Sequence, residues 1–490
     1  MRYIIAIDQS TQGTKAMLLD EAGCRGTVVQ RPHRQIILPN GFVEHDPEEI
    51  YANVCGVAGD LLGQTGIDPA DIAGIGISNQ RETTVAWDRV TGRSFGNAVV
   101  WQCARGKAIC DDLEARGAAE MIRTRTGLRL SPYFSAAKAA WILQNREDAR
   151  QAAQEGHFAA GTVDSYLVYR LTGGKSFKTD VSNASRMQLM DLRTLSWDPE
   201  ICALFGMDPS MLPEICDSDA LYGYTDFEGV LPQPVPIHGV MGDSHASLFG
   251  HGCRRPGQMK SSYGTGSSIM MNIGNAPVLS ENGLVTSLAW RIGGETNYVL
   301  EGNINYSGAV MTWVIQDLGL LDKASDADAL IEKAEPADTT YIVPAFSGMG
   351  APYWASDAKA MIYGMSRNTG RAELVKAVDE CIAYQVTDIV RIMSQESGAP
   401  LSEVRADGGG SKGRFLMQFQ SDILGIPVYA SDNEELSGTG AGWAAGLGLG
   451  LYDESIFGRS HYQAYQPHMS AELQKQKYDG WKDAVRRVLM

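Results

Sequence analysis

A strand, a tight Gly/Thr turn and a returning strand occur twice in this chain, and that repetition restricts the available folds more than any single motif. The first copy runs from Tyr3 to Leu19: an apolar Tyr-Ile-Ile-Ala-Ile, a polar turn Asp8-Gln-Ser-Thr-Gln-Gly-Thr-Lys15, then Ala-Met-Leu-Leu. The second runs from Lys260 to Gly274 around Tyr263-Gly-Thr-Gly266. Glycines in such turns permit positive φ and leave backbone N–H groups open to an anion. Taken alone, the first turn reads equally well as a plain β-hairpin. Its recurrence predicts one hairpin per domain, the two facing each other across a cleft.

Between the hairpins lies Gly239-Val-Met-Gly-Asp-Ser-His-Ala-Ser-Leu-Phe-Gly250. An apolar approach and a glycine there present Asp243 just before a helix start at Ala246–Phe249, so this carboxylate is sharply positioned and suits a general base. The chain has 490 residues, beyond the size at which one core stops growing, so two domains are expected, 1–245 and 246–490. Forty-two basic against 58 acidic residues give a net charge of −16, which argues against nucleic acid or an anionic membrane as partner. An anionic substrate would need local compensation. The apolar start is too short for a signal sequence, and no run approaches membrane-spanning length. Eight scattered cysteines without a Cys-x-x-Cys pair point to a reduced, cytoplasmic protein without a zinc site.

Further candidates follow in chain order. A helix is expected from the acid-rich His45-Asp-Pro-Glu-Glu to about Leu62, and a buried strand over Ile72–Ile77 that delivers Ser78-Asn-Gln-Arg-Glu82. Adjacent Arg81 and Glu82 at a strand end can donate to one hydroxyl of a polyol and accept from the next, though charged strand ends are often merely solvated. Val99–Cys103 reads as a strand whose Trp101 covers a carbohydrate face or simply fills a core. Tyr133 precedes a helix, 161–173 reads as an amphipathic helix, and Asp180 and Asn183 fall in a polar loop. Residues 190–235 read as helical and turn-rich. A strand in Tyr298–Gly308 feeds a helix at 308–318, where Gly308 admits close approach and Thr312 lies one turn on. Arg371–Ser397 is a long helix. Val404–Asp407 repeats the order of strand, acid and glycine loop before a helix from Phe415, where the glycines after Asp407 let a nucleotide approach the helix N-terminus. Gly438–Gly448 is a small-residue helix built for close packing, and the tail from about 455 is polar and helical.

With these residues in view, the chain resembles the FGGY carbohydrate kinases and, among them, the glycerol kinase branch. Nine segments follow the family's order: Ile7-Asp-Gln-Ser-Thr, Ser78-Asn-Gln-Arg-Glu-Thr-Thr-Val, Val100-Trp-Gln-Cys, Pro132-Tyr-Phe-Ser-Ala-Ala-Lys, Gly242-Asp, Tyr263-Gly-Thr-Gly, Pro344-Ala-Phe-Ser-Gly, Asp407-Gly-Gly and Phe415–Gly425. The resemblance implies an α/β fold of two actin-like, ribonuclease-H-like ATPase domains with an interdomain cleft, using ATP and Mg2+. It implies Asp243 as the base, Asp8 with Asp243 around the metal, and Arg81, Glu82, Tyr133 and Trp101 on the acceptor. It also implies Thr11, Gln12, Lys15, Thr265, Gly308, Thr312, Gly409 and Gly413 on the nucleotide. A homodimer is compatible with it.

The departures bear on the acceptor. Ser244 stands where the glycerol kinases have glutamine, Ser268 where they have an aromatic residue, and Gly413 where they have asparagine near the adenine. Two serines leave a roomier, more polar pocket, so the expected acceptor is a polyol or ketose of four or five carbons, with glycerol itself the alternative. Lys15 replaces an arginine and still meets phosphate as a point charge. The competing classes are a non-enzymatic actin-like ATP binder and a sugar-sensing relative without catalysis. The first lacks the Asn-Gln-Arg-Glu and Pro-Tyr-Phe-Ser segments, and the second is disfavoured by the presence of both acids.

Overall fold

The computed structural model describes residues 1–490 and contains two mixed sheets laid out on one plan. In the first, β1 (Tyr3–Gln9), β2 (Gly13–Leu19) and β3 (Arg25–Pro32) are antiparallel, while β4 (Ile72–Asn79) and β5 (Val235–Gly242) continue parallel to β1. In the second, β6 (Gln258–Tyr263), β7 (Ser267–Gly274) and β8 (Glu295–Ile304) are antiparallel, while β9 (Glu403–Asp407) and β10 (Val428–Ser431) continue parallel to β6. The doubled hairpin is therefore the visible part of a doubled sheet.

Helices fill the faces: α1 (Pro47–Thr65), α2 (Asp243–Gly250), α3 (Gly308–Gln316), α4 (Arg371–Ser397), α5 (Arg414–Leu424) and α6 (Leu436–Gly448). Asp46 caps α1 through Glu48 N at 2.9 Å with Pro47 at the first turn, a start signal legible in sequence. β1 is buried on both faces, which is why it reads as a continuous apolar run. Ile5 and Ile7 pack with Ile50, Val54 and Leu61 of α1. Ile4 and Ala6 point the other way, into a cluster shared by α2, α6 and, from the second sheet, Met270 and Val299. Behind the second sheet, α4 and α5 cover Ile269, Met271 and Leu300. The order of layers is thus α1, first sheet, α2 with α6, second sheet, α4 with α5.

The middle layer is thin, and small residues make it so. A Cβ on Gly76 of β4 would strike the Ala441 carbonyl of α6, and one on Gly440 would strike the Ala246 carbonyl of α2. The close-packing role expected for 438–448 holds. Because α6 comes from the second half yet lies on the first sheet, the lobes share a core. The expected division at 245/246 falls within α2, and the 251–257 connection follows it before β6.

Several local expectations are corrected. Only Ala98–Val99 pair as a strand, and Trp101 lies in the turn that follows. The 161–173 helix begins at Val163, because Phe158–Thr162 is a strand paired with Thr84–Asp88, and it is buried on nearly every side rather than amphipathic. Asp180 is no loop residue: it is fully buried and caps a short helix, accepting from Ser182 N and Asn183 N at 2.9 Å. Residues 190–235 hold short strand pairs as well as helix, and the tail contributes the edge strand Tyr462–Tyr465 before its helix Ala471–Val488. These strands are two to four residues long, too short to show a clear alternation in the sequence. No helix is long and apolar enough to cross a membrane.

Candidate active site

Strand register decides which side chains meet. Residues directly opposite across a ladder share a face, as do alternate residues along a strand. In the first sheet Lys15, Asp8 and Ser78 form one such row. In the second, Asn303, Ser268, Ser262 and Asp407 form a row, and Glu301, Met270, Lys260 and Arg405 form the next on the same face. The lobes interchange acid and hydroxyl. Ser78 Oγ donates to Asp8 Oδ1 at 2.9 Å with the acid on the hairpin strand, whereas in the second lobe the serine is on the hairpin and Asp407 lies opposite it.

All three rows contribute to one cavity of about 520 Å3, through Asp8, through Ser262 with Asp407, and through Lys260. Asp8 and Ser10 enter from the first hairpin, Lys260, Ser262 and Asp407 from the second sheet, Asp243, Ser244 and Ser247 from α2, and Glu434 and Ser437 from the start of α6. Asp243 is the first residue of α2, so its backbone turns from the sheet edge into the helix just where the two lobes meet. Ser244 N donates to its Oδ1 at 2.6 Å, and Ser437 Oγ to its carbonyl at 3.0 Å. Burial raises the Asp8 carboxyl to about 7, with the negative charge of Asp243 adding to the effect against the Ser78 hydrogen bond. Burial pushes Asp407 the same way, but His251 Nε2 at 2.8 Å and the Lys260 charge hold it well below the usual carboxylate range.

Arg81 and Glu82 belong to a buried ionic network. The two terminal nitrogens of Arg81 each donate to Glu301 at 2.9 Å, and its Nε lies 3.3 Å from Asp243 Oδ1. Arg186 pairs with Glu82 Oε1 and, at 3.0 Å, with Glu301. Glu82 adopts φ 59°, a left-handed conformation uncommon outside glycine, which these partners hold in place. Tyr133 meets Trp101 edge to face at 5.6 Å, and Trp101 Nε1 donates to Thr11 Oγ1 at 3.0 Å. Trp101 thereby ties the candidate acceptor residues to the first hairpin turn.

The second hairpin gathers the other candidates. Thr265 at its exposed tip accepts from Ser307 N and Ala309 N at 3.1 and 3.0 Å, and Gly308 N donates to Gly264 O at 2.9 Å, so the tip abuts the start of α3. Gly408 and Gly410 lie against Tyr263, where a Cβ would collide, while Gly409 faces open space. Gly413 caps α5. Thr312 is exposed, its hydroxyl turned back to Gly308 O at 3.1 Å, and Gln12 is an exposed turn residue whose carbonyl accepts from His33 N. Lys15 differs from expectation: its ammonium is bound to both oxygens of Glu435 at 2.7 Å, so its charge ties β2 to the start of α6 instead of standing free for phosphate.

Glu301, Arg186, Lys260 and Asp407 complete the site. In the sequence Asp407 stands out only as the acid before a glycine loop, and the other three sit outside the motifs. Glu301 carries a recoverable signal, an ionisable residue directly after the apolar run Tyr298-Val-Leu300, whereas Lys260, in Gln-Met-Lys-Ser-Ser-Tyr, has mostly polar neighbours and does not stand out. Arg186, in Asn-Ala-Ser-Arg-Met, carries none.

The model for the FGGY family of carbohydrate kinases, N-terminal domain, matches residues 3–250, and that for the C-terminal domain matches residues 259–449. Glycerol kinase 1 of Thermotoga maritima is 46% identical over 493 residues, covering 99% of this chain and 99% of the relative. The glycerol kinase of Alkaliphilus oremlandii is 43% identical over 491 residues, covering 100% and 97%. Among solved structures, Plasmodium falciparum glycerol kinase with ADP superposes with a TM-score of 0.95 at 35% identity, covering 100% and 99%. A gluconate kinase from Lactobacillus acidophilus follows the same fold with a TM-score of 0.88 at 23% identity, covering 99% and 98%.

Proposed function

This chain belongs to the FGGY family of carbohydrate kinases, which are ATP-dependent phosphotransferases, and from that premise we propose that it phosphorylates a primary hydroxyl of glycerol. The observation that carries the reading is one cavity onto which Asp243, the first-hairpin residues Asp8 and Ser10, and the second-sheet residues Lys260 and Ser262 all open. Asp243 accepts the proton of the attacking hydroxyl, and Arg81, already 3.3 Å from it, orients the carboxylate while its remaining N–H groups donate to the acceptor. Glu82 accepts from a neighbouring hydroxyl through the oxygen that Arg186 leaves free. Trp101 and Tyr133 cover the carbon skeleton. Thr11 and Thr265, at the tips of the two turns, receive the phosphates, with Gly308 and Gly409 as backbone approach.

The donor set suits a divalent cation. Asp8, Asp243, Asp407 and Glu434 outnumber the single ammonium of Lys260 around the cavity, so a polyanionic nucleotide enters only with its charge offset. Magnesium takes one or two carboxylates, waters and substrate phosphates, so Asp8 and Asp243 suffice without a dedicated protein cage. When bound, it neutralises phosphate charge.

The four- or five-carbon acceptor expected from sequence gives way to glycerol as first reading, because full-length relatives at 42–46% identity are named glycerol kinases. A longer polyol stays as a second reading on one observation: Ser268 Oγ is buried without a partner, on the sheet face that carries Ser262 and Glu301. Coupled ATP turnover across glycerol, erythritol, pentitols and ketopentoses decides. Glycerol should show the highest kcat/KM, and a tetritol, pentitol or ketose above it would move the assignment to the longer acceptor.

A further inference from the structure

We propose that Lys260 is the residue that meets the phosphoryl group in flight, an inference that rests on the phosphotransfer reading above. Lys260 lies in β6, only 2% exposed, on the face shared with Glu301 and Ser262. Its single side-chain hydrogen bond goes to Ser262 Oγ at 2.8 Å, and no carboxylate comes within ion-pairing distance. Asp407, the nearest acid by register, is engaged by His251 Nε2 at 2.8 Å and Ser247 Oγ at 3.1 Å. An ammonium has three donors, so two are without a protein partner on the wall of the cavity that holds Asp243.

Burying an ammonium is costly unless an anion meets it, and this one lies behind the cavity rather than at its rim. Every other basic side chain of the central network is already engaged: Lys15 by Glu435, Arg81 and Arg186 by Glu301 and Glu82. Lys260 is thus the uncommitted positive charge in the cleft. In the transfer, the acceptor oxygen bonds to the γ-phosphorus as its proton goes to Asp243. The bond from that phosphorus to the β,γ-bridging oxygen breaks, and its electron pair leaves with ADP. Charge on the equatorial oxygens passes between the lobes, where a compact ammonium follows it without bidentate geometry.

The test is ADP binding to the magnesium-containing protein, with and without beryllium fluoride as phosphoryl mimic, by calorimetry. In the wild type the mimic should tighten ADP by about tenfold or more. Lys260→Met should lose that gain while binding ADP alone within about threefold of wild type, and its kcat should fall ~100-fold with acceptor KM little changed, as for removal of one preorganised charge donor. A full gain in Lys260→Met, or an equal weakening of ADP alone, overturns the proposal, the latter marking a purely structural lysine. If Lys260→Met does not fold, Lys260→Arg decides by the same titrations: a gain reduced at least about threefold supports the contact, and an unchanged gain overturns it. Lack of turnover by the wild type would instead count against the proposed function, so the two readings fail separately.

Discussion

Arg81 bridges the lobes: its Nε lies 3.3 Å from Asp243 Oδ1 while its terminal nitrogens reach both oxygens of Glu301, on the second sheet, at 2.9 Å. The residue that orients the candidate base is itself oriented by a carboxylate 220 positions away. Glu301→Gln should therefore lower stability by about 3 kcal/mol, because a buried guanidinium loses its charge partner. It should also raise acceptor KM roughly tenfold while leaving ATP KM nearly unchanged. Urea melts and separate KM determinations check both parts. Equal shifts in the two KM values would mean that Glu301 serves only the fold.

Asp243→Asn keeps the shape and the contact with Arg81 but removes the proton acceptor. A loss of about 10²–10⁴ in kcat is expected, with ADP affinity retained. Single-turnover kinetics beside an ADP titration separate the two.

Ser268→Phe adds bulk at the buried position beside Ser262 whose hydroxyl has no partner. The ratio of glycerol to xylitol kcat/KM should rise by about tenfold or more, since bulk in a pocket discriminates by size on that scale. An unchanged ratio would remove Ser268 from acceptor selection.

Asp8 gives a pH signature. Its folded carboxyl is raised to about 7 from 3.8, so between those values the folded state holds more protons than the unfolded one, and stability falls as pH rises. Asp8→Asn lacks that loss. Its melting temperature without nucleotide should match the wild type near pH 4 and exceed it by ~3 °C or more at pH 7.5. A gap that stays constant with pH contradicts the burial argument.

Two glycines should respond with opposite sign. Gly440→Ala drives a Cβ into the Ala246 carbonyl where α6 meets α2, and should cost ~2 kcal/mol or more. Gly63→Ala, inside α1 with open space around it, should stabilise by about 0.5–1 kcal/mol. Thermal melts of the pair test whether the thin middle layer is what requires glycine.

Local chemistry alone determined much of this protein. Apolar strand runs ending in polar Gly/Thr turns, the Asp-Pro start of α1, the Arg371–Ser397 helix and the small-residue run of α6 are patterns within a few turns of chain, and each was legible because its cause is local. The positions of Asp8 and Asp243 followed from the same kind of signal. What only the tertiary structure decided was pairing: Arg81 with Glu301, Lys15 with Glu435 instead of phosphate, and Lys260 with Ser262 and no carboxylate within ion-pairing distance. Those outcomes depend on strand register and on a helix from the second half returning to the first sheet. Both are set by packing between segments hundreds of residues apart, so no local pattern encodes which buried charges meet.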